Sequence, residues 1–139
     1  MKIQTKELVF KTKGEVEILN ITENVNKKLY ETEMESGIVT IFTMSSTSAI
    51  TTLEYEPGLI QDLPKALERL FPRDIYYGHE EMWHDGNGHS HVRAAFLKPS
   101  LVVPFKNKRM MLGTWQQIVF CEFDNKRRSR RVVLQFLGE

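Results

Sequence analysis

The sequence predicts a single α+β domain of mostly antiparallel strands with two or three helices. Segments with a period of two outnumber segments with helical spacing, and no long, regular alternation of strand and helix predicts a parallel sheet. The chain has 139 residues, of which 41% are hydrophobic and 27% charged. These values are typical of one globular domain, so we expect residues 1–139 to form a single unit.

Period-two patterns and β-branched side chains predict seven strands. Gly14 is expected to turn a hairpin between the first two, and the basic run Lys126–Arg131 a hairpin between the last two. The basic run also fits a phosphate or nucleic-acid patch, but no aromatic residue interleaves with it, so nucleic acid is not an expected partner. The predicted strands are residues 3–11, 15–19, 37–44, 50–55, 101–105, 117–123 and 131–137.

Apolar residues at helical spacing predict two longer helices and one short one. Thr22 is the expected N-cap of the first helix, which ends near residues 31–35. The second begins in the region of Pro57 and is stopped by Pro72. The third, short helix is predicted over residues 91–97.

Charge, hydropathy and cysteine usage predict a cytoplasmic protein. Formal net charge is +1 at pH 7, and the single cysteine, Cys121, lies in an apolar run and is expected to be an inert core thiol. No apolar run approaches the roughly 20 residues that a membrane helix needs, so a membrane is not an expected partner. Charged residues interrupt the N-terminus where a signal peptide would be apolar.

The clearest functional signal is the clustering of all four histidines between positions 79 and 91. Imidazole is the commonest side-chain ligand of transition metals, and three imidazoles with a water would make an open zinc site. An extended segment would present His89 and His91 to one ion, whereas a helix would set them about 200° apart. The alternative is that these histidines cap the helix. The expected metal ligands are His79, His84, His89 and His91.

Two further segments carry groups that suit a binding site. Asp85 precedes the Gly86–Gly88 turn and could orient an imidazole or act as a general base. The Ser45–Ser48 segment offers four hydroxyls at the end of a strand and could contact an anion such as phosphate, the alternative being a plain turn. Trp115, in the predicted tight turn Gly113–Gln116, is expected to pack against the core.

The order of several short motifs resembles the YjbQ-type family. They are STSAITTLE, YxH, NGHSH, SLVVP and LGTWQQI, and they span essentially the whole chain. Members of this family were long described as uncharacterised and are now often labelled secondary thiamine-phosphate synthases. The resemblance implies a compact α+β fold, a cytoplasmic homotrimer with sites near subunit boundaries, and an enzyme that joins a pyrimidine carried on pyrophosphate to a thiazole phosphate.

The resemblance also adds residues to the expected site. Glu54, His79, Asn87, His91 and Arg93 match positions of the family pattern. Many members have a histidine before the Thr/Ser pair, where this chain has Ser45; His84 and His89 are expected to compensate. The expected catalytic residues are Glu54, His79, Asp85 and His91. The expected substrate-binding residues are Ser45, Ser46, Thr47, Asn87 and Arg93.

Three functions are compatible with these residues. The first is a thiamine-phosphate synthase-like transferase acting on a small phosphorylated molecule, with Mg²⁺ on the pyrophosphate. The second is a metal-dependent hydrolase with a histidine-bound metal and an activated water. The third is a non-catalytic trimeric binding module. The expected cofactor is a divalent metal, with zinc favoured.

Overall fold

The computed structural model describes all 139 residues, which form eight strands and four helices. The α+β class is confirmed, and every strand pairing is antiparallel. The strands are β1 Lys2–Lys11, β2 Glu17–Asn20, β3 Ser36–Thr43, β4 Ser48–Leu53, β5 Ser100–Lys106, β6 Arg109–Met110, β7 Gln117–Glu122 and β8 Ser129–Gly138. The helices are α1 Thr22–Thr32, α2 Pro57–Leu70, α3 His79–Trp83 and α4 Gly88–Leu97.

The strands divide into a five-stranded sheet, in the order β1-β8-β3-β5-β6, and a three-stranded sheet, in the order β2-β7-β4. Both predicted hairpins are therefore wrong, because β1 pairs with β8 and β2 pairs with β7. Gly14, at φ +106°, turns the chain from one sheet into the other. The β7–β8 connection makes the same crossing beside it, and the backbone N–H of Thr12 donates to the carbonyl of Arg128 at 2.8 Å.

Strand β7 lies between two hydrophobic cores. Ile118 and Phe120 belong to a cluster of 15 buried residues between the two sheets and α1, whereas Val119 and Cys121 belong to a cluster of seven that includes residues of α2 and α4. Successive side chains on a strand point to opposite faces, so burial on both faces requires a continuous apolar run. That requirement explains why residues 118–121 are all apolar, and it confirms the burial predicted for Cys121.

Two local predictions are wrong, one for the N-cap of α1 and one for the burial of Trp115. Thr22 lies inside α1, and its hydroxyl accepts a bond from the N–H of Ile118 at 2.8 Å instead of capping the helix. Trp115 is 71% exposed. Its turn is held by Gln116, whose Nε2 donates to the hydroxyl of Thr52 at 3.2 Å. None of the four helices has the length and hydropathy of a membrane span.

Candidate functional site

Helices α3 and α4 bring two of the four histidines together. His79 opens α3, His91 lies one turn into α4, and their ring centroids are 4.4 Å apart. Asp85 lies in the connection between these helices, and its Oδ1 is 3.2 Å from the Nε2 of His79. One donor atom from each of the three residues lies within 4.8 Å of the other two. This is the spacing of a candidate metal centre, which we call the His-Asp-His cluster.

The cluster is compact enough for a transition metal. Zinc–ligand bonds of roughly 2.0–2.1 Å hold the donor atoms of a tetrahedral site about 3.3 Å apart. The His79–Asp85 separation of 3.2 Å already matches this value, and the His91 donor lies within 4.8 Å of both. Without an ion, the same two groups form a charge-assisted hydrogen bond. Three protein ligands leave at least one coordination position for water or for a bound molecule.

Local electrostatics favour the protonation states that metal binding needs. Burial lowers the pKa of His91, and the neighbouring His79 lowers it further. For Asp85, burial alone would raise the pKa, but the backbone N–H of Asn87 and the hydrogen bond with His79 lower it overall. An unprotonated imidazole and an ionised carboxylate are the forms that bind a metal ion.

Asn87 holds the Asp85 loop in place. Its Oδ1 accepts bonds from the Ser90 hydroxyl at 2.7 Å and from the N–H of Asn125 at 3.1 Å. The side chain of Asn125 in turn donates to the carbonyl of Asp85 at 2.9 Å. Asn87 is buried and also borders the cavity described next. These bonds fix the cluster against the β7–β8 connection.

A polar cavity of about 380 Å³ opens beside the cluster, and this volume is in the range of small-molecule sites. Its lining includes Asp85 and His91 from the cluster and Ser45, Ser46 and Thr47 from the β3–β4 connection. The structure therefore brings the predicted hydroxyl segment next to the predicted histidines. The cavity lining also contains three charged residues that sequence reasoning did not assign to the site. They are Asp124, Arg128 and Arg130.

The wall of the cavity is a buried network of charges. Glu122 is fully buried, and both its carboxylate oxygens accept bonds from Arg130, at 2.6 and 2.5 Å. Arg130 also donates to the Thr47 hydroxyl at 2.8 Å, and that hydroxyl donates to Asp124 at 3.0 Å. The Thr47 hydroxyl, predicted to bind substrate, therefore belongs to the wall. The sequence signal for Arg130 is the dense basic run Lys126–Arg131, for which a hairpin turn and a phosphate patch were the two interpretations.

The other two histidines lie outside the cluster. His84 is the exposed, left-handed residue that ends α3. His89 is buried, and its Nε2 lies 2.6 Å from a carboxylate oxygen of Glu15. The extended arrangement predicted for this segment is wrong because α4 begins at Gly88, and a helix points His89 away from His91. Of the four histidines predicted as ligands, His79 and His91 therefore lie in the cluster, whereas His84 and His89 lie outside it.

Two residues expected from the family resemblance also lie away from the cavity. Glu54 follows the last residue of β4, whereas the cavity is lined by Thr47, which precedes the first residue of that strand, so roughly 20 Å of extended chain separates them. Arg93 is 2% exposed and bonds to Glu68 at 2.7 Å and to the carbonyl of Phe71 at 2.9 Å. These contacts join α4 to the end of α2 and place Arg93 outside the lining of the cavity.

Comparison with known sequences identifies the family. The sequence model of the UPF0047 protein YjbQ-like family matches residues 6–139. The chain belongs to the YjbQ-like UPF0047 family. A UPF0047 protein of Methanothermobacter thermautotrophicus is 40% identical over all of this chain and 95% of its own length. The UPF0047 protein YugU of Bacillus subtilis is 33% identical over 96% of this chain and 98% of its own length.

Solved structures of YjbQ-like proteins share the fold. A YbjQ-like protein of unknown function from Sulfolobus solfataricus superposes with a TM-score of 0.94 at 30% identity, covering 99% of both chains. An uncharacterised YjbQ/UPF0047 protein from Clostridium acetobutylicum superposes with a TM-score of 0.87 at 32% identity, covering 95% of this chain and 99% of the other. These similarities confirm the family resemblance and the fold that it implied.

The activity that the resemblance implied is wrong as an assignment. The relatives are described as UPF0047 proteins, and the descriptions name neither a thiamine-phosphate synthase nor another enzyme. The similar structure from Sulfolobus solfataricus is described as a YbjQ-like protein of unknown function. Membership of the YjbQ-like family therefore gives this chain a fold and no reaction.

Proposed function

We propose that this chain binds one divalent transition-metal ion, with zinc favoured, through His79, Asp85 and His91. The observation that supports it is the convergence of three donor atoms within 4.8 Å. These donors come from two helices and their connection and are half-buried beside a polar cavity. Asn87 and Asn125 brace the connecting loop, which keeps the Asp85 donor in place.

The donor set favours zinc over magnesium. Two of the three donors are imidazole nitrogens, whereas Mg²⁺ takes oxygen ligands in an octahedral arrangement and keeps several waters. An arrangement of two histidines and one carboxylate with an open position matches catalytic-type zinc sites and also non-haem iron sites. Zinc is the first choice because it needs no reductant to remain divalent.

Zinc binding tests the proposal directly. The protein would be treated with a chelator and dialysed, and zinc would then be titrated in by calorimetry, with metal content measured by mass spectrometry after gel filtration. We expect one zinc per chain for the wild type. Asp85→Asn and His91→Gln should each weaken binding by at least about 100-fold, since loss of a mere supporting hydrogen bond already costs about 10–100-fold.

His84→Asn is the matched control, because His84 is adjacent to Asp85 but exposed and outside the cluster. Asn also tolerates the left-handed backbone at this position, φ 51°. The control should bind zinc as the wild type does. Failure of the wild type to retain zinc, or equal retention by His91→Gln and His84→Asn, would refute the proposal.

We also propose that the chain assembles as a homotrimer through the outer face of its five-stranded sheet. The strand register places Ile3, Leu137, Ile38 and Pro104 side by side across four strands. Residues directly opposite one another share a face, and this row lies on the face away from the core, where Ile3 is 65% exposed. Contiguous exposed apolar side chains on a sheet face are one mark of a protein–protein interface.

Sedimentation analysis distinguishes a trimer from a monomer. Ile38→Glu places a charge in the middle of the apolar row and should give monomers, while Ile75→Glu, at an exposed position outside both sheets, should leave assembly unchanged. A wild type that sediments as a monomer would refute the proposal. The cytoplasmic location stays a prediction from the sequence.

A further inference from the structure

The cavity contains charges of both signs. Its lining includes two guanidinium groups, Arg128 and Arg130, and two carboxylates, Asp85 and Asp124, and a third carboxylate, Glu122, is paired with Arg130 behind the lining. With neutral histidines, three carboxylates and two guanidinium groups give a formal charge of −1. A divalent ion in the His-Asp-His cluster changes that charge to +1. The sign of the potential in the cavity therefore depends on whether the metal is bound.

A chain of hydroxyls ends in the same cavity. The hydroxyl of Ser48 lies 2.8 Å from that of Thr43 and donates to the hydroxyl of Ser45 at 2.8 Å. The Ser45 oxygen also accepts a bond from the N–H of Thr47 at 3.1 Å. A hydroxyl has two acceptor lone pairs and one proton. Both lone pairs of Ser45 are thus in use, and its proton is left to donate elsewhere.

Ser45 lines the cavity, so the available proton makes it a donor for a bound acceptor. The preceding hydroxyls polarise it in the donating direction, which strengthens such a bond. Arg128 supplies a second donor. Its Nε is paired with Asp124 at 3.0 Å, and its side chain is 43% exposed, so its terminal nitrogens can reach a ligand in the cavity.

We propose that the cavity binds a small oxyanion next to the metal, and that each of the two ligands increases the affinity of the protein for the other. This inference rests on the proposed metal site. The oxyanion is a phosphate group, free or carried on a small molecule. It contacts the open metal position, the Ser45 hydroxyl and the Arg128 guanidinium. Without the metal, the net negative charge of the cavity disfavours the anion. When the metal is bound, its attraction for the anion and the two hydrogen-bond donors, Ser45 and Arg128, favour binding.

The coupling has a measurable size. Allosteric and linked ligands typically change one another's affinity by about 5–150-fold, and by linkage the factor is the same in both directions. We expect inorganic phosphate to bind at least about tenfold more tightly to zinc-loaded protein than to metal-free protein. Phosphate should increase zinc affinity by the same factor.

Calorimetric titration of inorganic phosphate into metal-free and zinc-loaded protein tests the inference. Ser45→Ala should reduce phosphate affinity of the loaded protein by about tenfold, because a hydrogen bond to a charged group is lost, and should leave zinc affinity unchanged. Arg128→Gln should also reduce the phosphate affinity of the loaded protein. Arg127→Gln is the matched control, because Arg127 carries the same charge but lies outside the cavity lining.

The outcomes separate this inference from the proposed function. If zinc does not bind, the metal proposal fails and this inference fails with it. If zinc binds but phosphate affinity is the same with and without it, or if the Arg127 and Arg128 variants are equally weakened, only the coupled oxyanion site is refuted. Repeating the titration with glycerol phosphate identifies the source: tighter binding than inorganic phosphate indicates a phosphorylated small molecule, and weaker binding indicates the free ion.

Discussion

Glu122→Gln is the substitution that best tests the structural basis of the site. The Glu122 carboxylate is fully buried and accepts four hydrogen bonds: two from Arg130, one from the Thr12 hydroxyl at 2.7 Å and one from the N–H of Asp124 at 3.1 Å. Glutamine keeps the shape of the side chain but removes its charge, and its amide NH₂ faces other donors. The guanidinium of Arg130 would then be buried with its other carboxylate neighbour, Asp124, 3.9 Å away.

Removing one partner of a buried ion pair costs about 3–5 kcal/mol, because the remaining charge is left uncompensated. Domains of this size are stable by roughly 5–15 kcal/mol, so the loss is a large fraction of the total. For 139 residues it corresponds to a decrease in Tm of roughly 10–20 °C. Urea denaturation followed by circular dichroism at fixed protein concentration measures the free energy of unfolding.

The adjacent residue of β8 provides a matched control. Arg131 pairs with Glu7 at 3.3 Å, and both side chains are exposed, at 58% and 44%. An exposed pair contributes about 0–1 kcal/mol, so Glu7→Gln should change the free energy of unfolding little. If Glu122→Gln destabilised the protein no more than Glu7→Gln, the buried network would not hold the cavity wall as argued.

Three further predictions concern titratable groups. Burial raises the pKa of Cys121 to about 12, so its thiol should not react with thiol reagents at pH 8 until the protein is unfolded by guanidinium; reaction in the native state would contradict its burial. Because the pKa of His91 is lowered from 6.5, zinc affinity should be the same at pH 7.5 and 6.5 and should fall only at lower pH, where protons compete for the imidazole. A fall in zinc affinity that is complete above pH 6.5 would contradict the lowered pKa. Burial alone would raise the pKa of Asp124, but hydrogen bonds from the N–H of Lys126 and the side chain of Arg128 lower it overall from 3.8. The stability that the Asp124 carboxylate contributes is therefore present above pH 3.8 and is lost as pH falls through the lower pKa of the folded state. Asp124→Asn should therefore flatten the acid branch of the pH–stability curve, and an unchanged branch would exclude this contribution.

Local patterns in the sequence were sufficient for most of the elements. Period-two alternation and runs of β-branched and apolar residues located the seven longer strands within a few residues, because these patterns report which faces of a strand are buried. The two-residue β6 was missed because so short a strand has no pattern. Strand partners were predicted wrongly for β1, β2, β7 and β8, since pairing depends on where the chain goes after Gly14 and after Glu122.

In the candidate site, too, local patterns predicted the segment but not how its side chains are arranged. The sequence placed His79, Asp85 and His91 in one functional stretch, and the family resemblance was correct over essentially the whole chain. The sequence did not show that His89 and His91 point in different directions, because this depends on α4 beginning at Gly88 instead of three residues later. One turn of helix decides which imidazole faces the cluster and which faces Glu15.

Composition, periodicity and short motifs are sufficient to predict the α+β class, the family and the segment that carries the imidazoles. They do not predict which side chains meet in the folded chain. Ser45, Arg128 and His91 lie in three segments far apart in sequence, and their approach depends on two crossing connections and a buried ion pair that no local pattern encodes. Long-range contacts of this kind are properties of the packed chain, so the cavity and its charge became visible only in three dimensions.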